Sequence, residues 1–360
     1  MTLLAGRNYS NYRGRQSLGK VLLAVVLILV ILAAAGFMVL QRYMVYDANG
    51  DLRLELPGRG SGSASSSATQ VPDEDLNIII DRKEPEVTMP EEPVEVTQPP
   101  VWGLLAAERP LTDWQSLRNR MDPEAALVCL TVKDEDGYVR VDSAVTAALS
   151  RGTVSVKKTT RDAIAQMTGE DGISTIARIV CLRDSRMPIV SVRGLGLRQG
   201  GGYLYYDGEG ISWLDPAKSG VQDYLGGLAR ECAEMGFDEI QLAEVGYPTD
   251  GDLSLLKFTE AEKREGLAGF LEAVRTALEG YSVKLSLELP ADVILSGANA
   301  VSGQALAELA PLVDVIYART SAEEAPALEE AVKAAAPTTA FVAMVTDGMN
   351  MTVDYLLVES

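Results

Sequence analysis

Histidine is absent from this 360-residue chain, and cysteine is scarce. Without histidine the chain has no Ser-His-Asp or Cys-His mechanism and lacks the commonest side-chain ligand of transition metals. Its three cysteines, Cys129, Cys181 and Cys232, are widely spaced inside apolar runs, so they match neither a zinc site nor a disulfide framework. We therefore expect no metal and no cofactor, and we expect the cysteines to fill the core.

Basic residues are also few. The chain has 32 lysines and arginines against 51 aspartates and glutamates, a net charge of −19. The first 46 residues contain basic residues but no acid, so the remainder is more acidic than the chain as a whole. An acidic surface repels nucleic-acid phosphates and anionic lipid headgroups. We therefore expect no nucleic-acid partner.

One long segment lacks charge altogether. Residues 21–40 read VLLAVVLILVILAAAGFMVL, and a helix of that length spans about 30 Å, the thickness of the hydrocarbon core. Residues 1–20 carry basic residues and no acid, and positive flanks stay in the cytoplasm. The pattern predicts a cytoplasmic segment (1–20), one transmembrane helix (21–40) and an exported remainder at the cell membrane. A cleaved signal peptide is the alternative, because residues 32–36 resemble a cleavage site.

The sequence that follows the apolar run changes composition twice. Residues 41–57 place an Asn49-Gly50 turn signal between two short alternating stretches, which predicts a small juxtamembrane hairpin. Residues 58–100 are rich in Gly and Ser and then in Pro and Glu, which is typical of a flexible tether. Residues 101–360 are therefore expected to form an extracellular domain held away from the membrane.

Short apolar runs alternate with amphipathic helical patterns from residue 101 onward. One helix is predicted to begin at a capping box of Thr259 and Glu262 and to stop before Gly280. This alternation predicts a parallel sheet covered by helices, and eight runs fit a (β/α)8 barrel of the TIM type. A doubly wound open sheet is the alternative, although no glycine-rich phosphate loop opens a helix. The predicted strands are 101–107, 126–133, 175–182, 239–247, 283–289, 313–319, 339–345 and 355–359.

The last two predicted strands lie close together in the chain. About nine residues separate 339–345 from 355–359, which is too few for a covering helix. We therefore expect the barrel to be incomplete or to close irregularly at its C-terminal end, which would leave an exposed sheet edge.

Three segments of the predicted barrel carry family-like motifs. They are ALVCLTVKDEDGYVRVDS (126–143), DGISTIARIVCLRDSRMP (171–188) and ISWLDPAKSGVQDYLGGLARECAEMGFDEIQLAEVGYPTDGD (211–252). Together they resemble a family of bacterial (β/α)8-barrel glycoside hydrolases with an IARIV third strand, a WLDP helix start and a GFDEIQFDYVRFP fourth strand. The resemblance implies a TIM-type barrel that acts on cell-wall or extracellular polysaccharide.

The same segments depart from the family at its acidic positions. The second-strand aspartate of the family falls on Thr131, the fourth-strand aspartate on Ala243, and the arginine of VRFP on Gly246. Side chains alternate along a strand, so Glu244 is expected to point away from the face of Ala243 unless a bulge re-aims it.

Glycosidic cleavage uses two carboxylates, and a barrel presents them at the carboxyl ends of its strands. Glu288 closes the strand at 283–289 and is the leading candidate acid. Asp184 follows the third strand, where the resemblance also implies an aspartate, and Glu244 follows the fourth. The predicted catalytic residues are therefore Glu288, Asp184 and Glu244.

Four other residues are predicted to bind substrate. Lys133 shares a strand face with the second-strand acidic position and is expected to reach the barrel mouth. Arg178 and Glu239 match the family near the starts of adjacent strands, where an ion pair in the barrel floor would be structural. Trp213 and Tyr247 are aromatic and offer packing faces to sugars. The predicted substrate-binding residues are Lys133, Arg178, Trp213 and Tyr247.

Two functions remain open at the level of sequence. The family-like motifs favour a glycoside hydrolase that works by carboxylate acid–base catalysis. The departures at Thr131, Ala243 and Gly246 favour a catalytically degenerate barrel that binds glycan or an envelope protein. Fold alone does not decide between the two.

Overall fold

The computed structural model describes residues 44–46, 52–54, 99–106 and 110–358. The chain divides into two compact units, Met1–Pro90 and Glu91–Ser360. In the first unit, strands β1 and β2 pair antiparallel, with Val45 opposite Arg53, as a hairpin within 41–57 requires.

Other predictions for the N-terminal region lie outside the described residues. They concern the cytoplasmic segment (1–20), the transmembrane helix (21–40) and nearly all of the tether (58–100). Among the helices that the structure describes, none is both long enough and apolar enough to cross a membrane.

The strands follow the chain in this order: β1 (Met44–Tyr46), β2 (Leu52–Leu54), β3 (Trp102–Leu105), β4 (Leu127–Lys133), β5 (Val139–Val141), β6 (Val154–Thr159), β7 (Ser174–Val180), β8 (Glu239–Ala243), β9 (Lys284–Glu288), β10 (Ala298–Asn299), β11 (Gln304–Ala305), β12 (Val315–Arg319), β13 (Ala340–Val345) and β14 (Tyr355–Val358). Eight of them form a closed parallel barrel in the order β3, β4, β7, β8, β9, β12, β13 and β14. They coincide with the eight predicted strands, so the TIM-type barrel is confirmed.

The helices lie between the strands: α1 (Trp114–Arg118), α2 (Thr146–Ser150), α3 (Arg161–Thr168), α4 (Met187–Val190), α5 (Ser219–Glu234), α6 (Glu260–Ala277), α7 (Ala291–Ser296), α8 (Leu306–Leu309) and α9 (Ala325–Ala335), with 3₁₀ turns at Leu253–Leu255 and Ala310–Leu312. The capping box of α6 is present, because the Thr259 backbone N–H donates to Glu262 and the Glu262 N–H donates to the Thr259 hydroxyl. Helix α6 ends before Gly280, as predicted.

The barrel closes at its C-terminal end, so the expectation of an incomplete barrel was wrong, whereas the expected absence of a covering helix between the last two strands is confirmed. Leu357 of β14 lies opposite both Val345 of β13 and Leu104 of β3. Residues 346–354 return to the start of β14 without a helix. Nine extended residues reach about 30 Å, which exceeds the roughly 20 Å length of a six-residue strand such as β13.

Two apolar cores fill the domain. The larger core lies between the barrel and its helices, and it includes Cys181 and Cys232. A smaller cluster occupies the barrel interior and includes Cys129, Ile176 and Tyr317. The three cysteines are buried and free, as predicted. Side chains alternate along each strand, so residues at even spacing from these interior positions also face the barrel axis.

Candidate active site

A pocket of about 390 Å³ opens at the carboxyl ends of the barrel strands, and we call it the mouth pocket. This is the end at which TIM barrels place their active residues. Two carboxylates line it, Glu244 directly after β8 and Glu288 at the end of β9. Arg319, at the end of β12, lines it as well. The pocket therefore brings together two of the three predicted catalytic residues.

Two arginines hold the Glu288 carboxylate. The Arg178 guanidinium donates from Nε and Nη2 to Glu288 Oε2, at 3.1 and 2.9 Å. The Arg319 Nε donates to the other oxygen, Oε1, at 3.1 Å. Arg178 is buried, whereas the Arg319 side chain is 54% exposed. Both carboxylate oxygens are thus engaged in ion pairs, and the buried arginine fixes the orientation of the group.

The position of Arg178 corrects one prediction. Arg178 was expected in the barrel floor with Glu239, but it lies opposite Gln241, two residues further along the strand than Glu239, and its guanidinium reaches Glu288. Glu239 is opposite Ile176, nearer the start of the strands. Burial raises the pKa of the Glu239 carboxyl, and hydrogen bonds from neighbouring hydroxyl groups oppose that rise.

Glu244 is re-aimed into the mouth pocket by its backbone. Strand β8 ends at Ala243, and Glu244 has a φ of 53°, in the left-handed region that side-chain-bearing residues rarely adopt. From side-chain alternation along the strand, we expected Glu244 to point away from the face of Ala243 unless a bulge redirected it. A single left-handed residue, rather than a bulge, provides the redirection. Strained residues of this kind cluster at functional sites, because only a surrounding structure that over-determines them can hold them.

The environment of Glu244 differs from that of Glu288. The Glu244 side chain remains exposed to the solvent of the pocket. The pocket walls nevertheless raise the pKa of its carboxyl by desolvation, and the charge of Glu288 raises that pKa further. The guanidinium groups of Arg178 and Arg183 act in the opposite direction. A carboxyl whose pKa is raised keeps its proton closer to neutral pH, as a general acid requires.

Asp184, the third predicted catalytic residue, lies in the protein interior. Its side chain and that of Lys133 are both 0% exposed and form an ion pair at 2.9 Å. The other Asp184 oxygen accepts hydrogen bonds from the backbone N–H groups of Arg186 and Met187. These contacts tie the loop after β7 to β4, which is a structural role.

The burial of Lys133 also corrects the expectation that it reaches the barrel mouth. The pairing of β4 with β7 shifts register between Thr131 and Lys133, so that Thr131 lies opposite Arg178 but Lys133 lies opposite Ile179. Ile179 belongs to the core between barrel and helices. The irregularity therefore turns Lys133 away from the barrel axis, and its Nζ donates to the Val180 carbonyl at 2.7 Å.

Both predicted aromatic platforms line the mouth pocket, but neither is an open face. Trp213 is 7% exposed, and its indole N–H donates to an Asp207 carboxylate oxygen at 2.9 Å. Tyr247 is 2% exposed, and its ring packs on Phe258 with centroids 5.3 Å apart. Burial raises the pKa of the Tyr247 hydroxyl. Trp213 and Tyr247 therefore form part of the pocket wall with only a small part of each side chain exposed.

Arg319 and Gln304 are among the pocket residues that sequence reasoning missed. Arg319 ends a predicted strand, so the rule that selected Glu288 also applies to it. Gln304 comes from the short strand β11, and its side-chain amide bonds the Val245 carbonyl and the Ser302 hydroxyl. No pattern in the sequence marks Gln304, because its position depends on how the long β9–β12 connection folds over the mouth.

A family comparison agrees with this geometry. Residues 115–320 match the model of a family, DUF4015, described as “Putative glycosyl hydrolase domain”. The match spans more than half of the chain, so the chain belongs to this family. It is a glycoside-hydrolase-like TIM barrel, which confirms the coarser part of the resemblance seen in the sequence. The individual motifs stay predictions.

Solved structures of three other proteins are similar to this chain. A hypothetical protein from Ruminiclostridium thermocellum shares 30% identity over 48% of this chain and 86% of its own, with a TM-score of 0.42. The glycoside hydrolase domain of PelA from Pseudomonas aeruginosa shares 15% identity over 69% of this chain and 84% of its own, with a TM-score of 0.41. The PgaB (BpsB) glycoside hydrolase domain from Bordetella bronchiseptica shares 14% identity over 61% of this chain and 74% of its own, with a TM-score of 0.42. No curated protein matches the sequence.

Proposed function

We propose that the mouth pocket hydrolyses O-glycosidic bonds of a polysaccharide, with Glu244 as the general acid and Glu288 as the nucleophile or general base. One observation carries this proposal. Two arginines neutralise Glu288, whereas desolvation and the neighbouring Glu288 raise the pKa of Glu244. Two carboxylates in such contrasting environments supply the acid and the base of glycoside hydrolysis.

In the proposed reaction the protonated Glu244 gives its proton to the leaving oxygen as the glycosidic bond breaks. On one route the Glu288 carboxylate attacks the anomeric carbon, and a water that Glu244 deprotonates then breaks the glycosyl–Glu288 bond and releases the sugar. On the other route Glu288 removes a proton from the water that attacks the anomeric carbon directly. The separation of the two carboxyl groups sets which route is followed. Arg178 keeps Glu288 oriented throughout, because its guanidinium is buried and donates twice to the same oxygen.

A second candidate function is glycan binding without cleavage. Thr131 and Ala243 stand where the family resemblance implies aspartates, and both are buried. In this alternative the barrel would hold a glycan or an envelope protein in the mouth pocket.

We also propose that the domain acts outside the cell on cell-wall or extracellular polysaccharide, anchored by residues 21–40. The uncharged run, its basic flank and the acidic remainder of the chain support this proposal. Protease added to intact cells tests it. Cleavage of the C-terminal domain is expected, and full protection of that domain in intact cells, with digestion after lysis, contradicts it.

The catalytic proposal is tested by reducing-end release from peptidoglycan and a polysaccharide panel. The purified full-length protein is expected to release reducing ends, and Glu244→Gln and Glu288→Gln are expected to abolish the release. If a folded wild-type sample releases nothing from substrates that a control hydrolase cuts, glycan binding becomes the better account. Release that survives both substitutions would remove the site assignment.

A further inference from the structure

A second pocket lies against the same tyrosine that walls the mouth pocket. It has a volume of about 420 Å³ and is formed by the N-terminal parts of α5 and α6, and we call it the α6 pocket. Tyr247 lines both the mouth pocket and the α6 pocket, so one aromatic residue is their shared wall. The proposed acid–base chemistry makes no use of this second cavity.

Part of the lining of the α6 pocket is apolar. The ring of Phe258 contributes to it and contacts the ring of Tyr247. Helix α6 contributes Gly266 and Gly269, and a Cβ added at Gly269 would meet nothing within 4 Å. The helix backbone is therefore open at this point. An aromatic ring beside bare backbone offers the kind of flat surface on which the CH face of a sugar packs.

Polar side chains also line the α6 pocket. Glu262, Glu265 and Gln222 line it, and carboxylates and amides are hydrogen-bonding partners for hydroxyl groups. The Tyr247 hydroxyl lies immediately below the floor, where a Cβ added at Gly266 would be 2.8 Å from it. Among the described residues this buried hydroxyl has no hydrogen-bond partner.

A third pocket continues the row beyond Phe258. It has a volume of about 300 Å³, includes Arg198 and Lys257 in its lining, and shares Phe258 with the α6 pocket. We call it the loop pocket. Tyr247 thus separates the first pocket from the second, and Phe258 separates the second from the third. A chain of sugars fills such a row, whereas a single sugar occupies one member of it.

We propose that the mouth pocket, the α6 pocket and the loop pocket are successive subsites for one glycan chain. The substrate class is then a polysaccharide or long oligosaccharide, and not a glycoside of one or two sugars. This inference rests on the proposed function for the nature of the ligand, a glycan, and does not depend on its cleavage.

Calorimetric titration of the full-length chain tests the subsites. The chain carries Glu244→Gln so that ligands stay intact, and the probes are cellohexaose, hexa-N-acetylchitohexaose and chitosan hexamer. Gly269→Leu places a side chain in the α6 pocket, and leucine is the better helix former, so α6 is retained. Thr276→Leu lies two turns further along the same helix face, outside the pocket lining, and is the matched control.

The expected result is a Kd for a bound hexasaccharide that rises about tenfold or more with Gly269→Leu, a loss in the range that a changed pocket contact produces. Thr276→Leu is expected to leave that Kd unchanged. A second variant, Phe258→Ala, removes the ring shared by two pockets and should weaken the same hexasaccharide. Equal affinity in Gly269→Leu and its parent overturns the inference, and so does failure of all three hexasaccharides to bind.

The two proposals fail in different ways. If Gly269→Leu weakens hexasaccharide binding but the protein cleaves no glycan, the acid–base proposal is wrong and the subsite proposal is supported. If the protein cleaves glycans but Gly269→Leu does not change its affinity for a hexasaccharide, the acid–base proposal is supported and the subsite proposal is wrong.

Discussion

Arg178 and Glu288 form an ion pair that passes over strand β8, from the middle of β7 to the end of β9. Both guanidinium contacts fall on one carboxylate oxygen, Glu288 Oε2. The Arg178 side chain is 4% exposed and the Glu288 side chain 14%. A buried residue beneath the mouth pocket therefore sets the orientation of the carboxylate that we propose to react.

The two arginines on Glu288 should differ in their effect on stability. Arg178→Leu leaves a largely buried carboxylate with one partner fewer, so we expect the free energy of unfolding to fall by about 3 kcal/mol. Arg319→Leu removes a solvent-screened partner, so its cost should stay below about 1 kcal/mol. Urea unfolding of both variants provides the comparison. Equal losses in the free energy of unfolding would mean that the buried Arg178–Glu288 pair stabilises the fold no more than the exposed Arg319–Glu288 pair.

The backbone of Glu244 should trade stability for function. A side chain in the left-handed region costs about 1–2 kcal/mol, and glycine avoids that cost. We therefore expect Glu244→Gly to be more stable than Glu244→Ala by about 1 kcal/mol, after allowing for the greater freedom of glycine in the unfolded chain. Both variants should lose hydrolysis. Equal stability of the two variants would show that the position is unstrained.

The raised pKa of Glu244 gives stability a pH dependence of defined sign. Its folded-state pKa lies above the ordinary value of 4.5. Between those two pKa values the folded protein binds more protons than the unfolded chain, so wild-type stability falls as pH rises through that window. Glutamine does not ionise, so the stability of Glu244→Gln relative to wild type should increase as pH rises from below 4.5.

Urea midpoints of wild type and Glu244→Gln, measured at a series of pH values from acidic to neutral, check this expectation. The difference between the two proteins should be constant below the window and grow within it. A difference that shrinks with rising pH would contradict a raised pKa.

The pair of Lys133 and Asp184 should behave as structure and not as catalysis. Removing either charge leaves the other buried and unpaired, so Lys133→Met and Asp184→Leu should each cost about 3–5 kcal/mol. The double variant should recover a large part of that loss, because no uncompensated charge remains. A double-mutant cycle by urea unfolding measures the coupling. Loss of hydrolysis in Asp184→Asn at unchanged stability would instead restore Asp184 as a catalytic residue.

Much of the barrel follows from local sequence pattern. The eight strands, the capping box of α6 and the inward face of Glu288 all depend on side-chain alternation and on helix-end chemistry. The resemblance to a glycoside-hydrolase family also came from motifs within single elements, and the family match over residues 115–320 confirms it at the level of the family. These features need no knowledge of how distant segments meet.

The missed features depend on long-range geometry. Glu244 enters the pocket through one left-handed residue, and Lys133 leaves the barrel axis through one register shift. Each is a one-residue departure from regular strand geometry, and each reverses the direction of a side chain. Arg178 was expected at the height of Glu239 along the barrel axis, but it lies two residues nearer the carboxyl ends of the strands. The height of a residue depends on the register between neighbouring strands, which its position within one strand does not reveal.

The most direct test of the acid–base account is the dependence of kcat/KM on the leaving group. Aryl glycosides of an oligosaccharide of the cleaved glycan are compared, with dinitrophenol as a good leaving group and phenol as a poor one. Glu244→Gln should lose about 10²–10⁴-fold on the poor leaving group, which needs a proton, and far less on the good one. Glu288→Gln should lose activity on both. Equal losses for Glu244→Gln on both substrates would contradict its role as the acid.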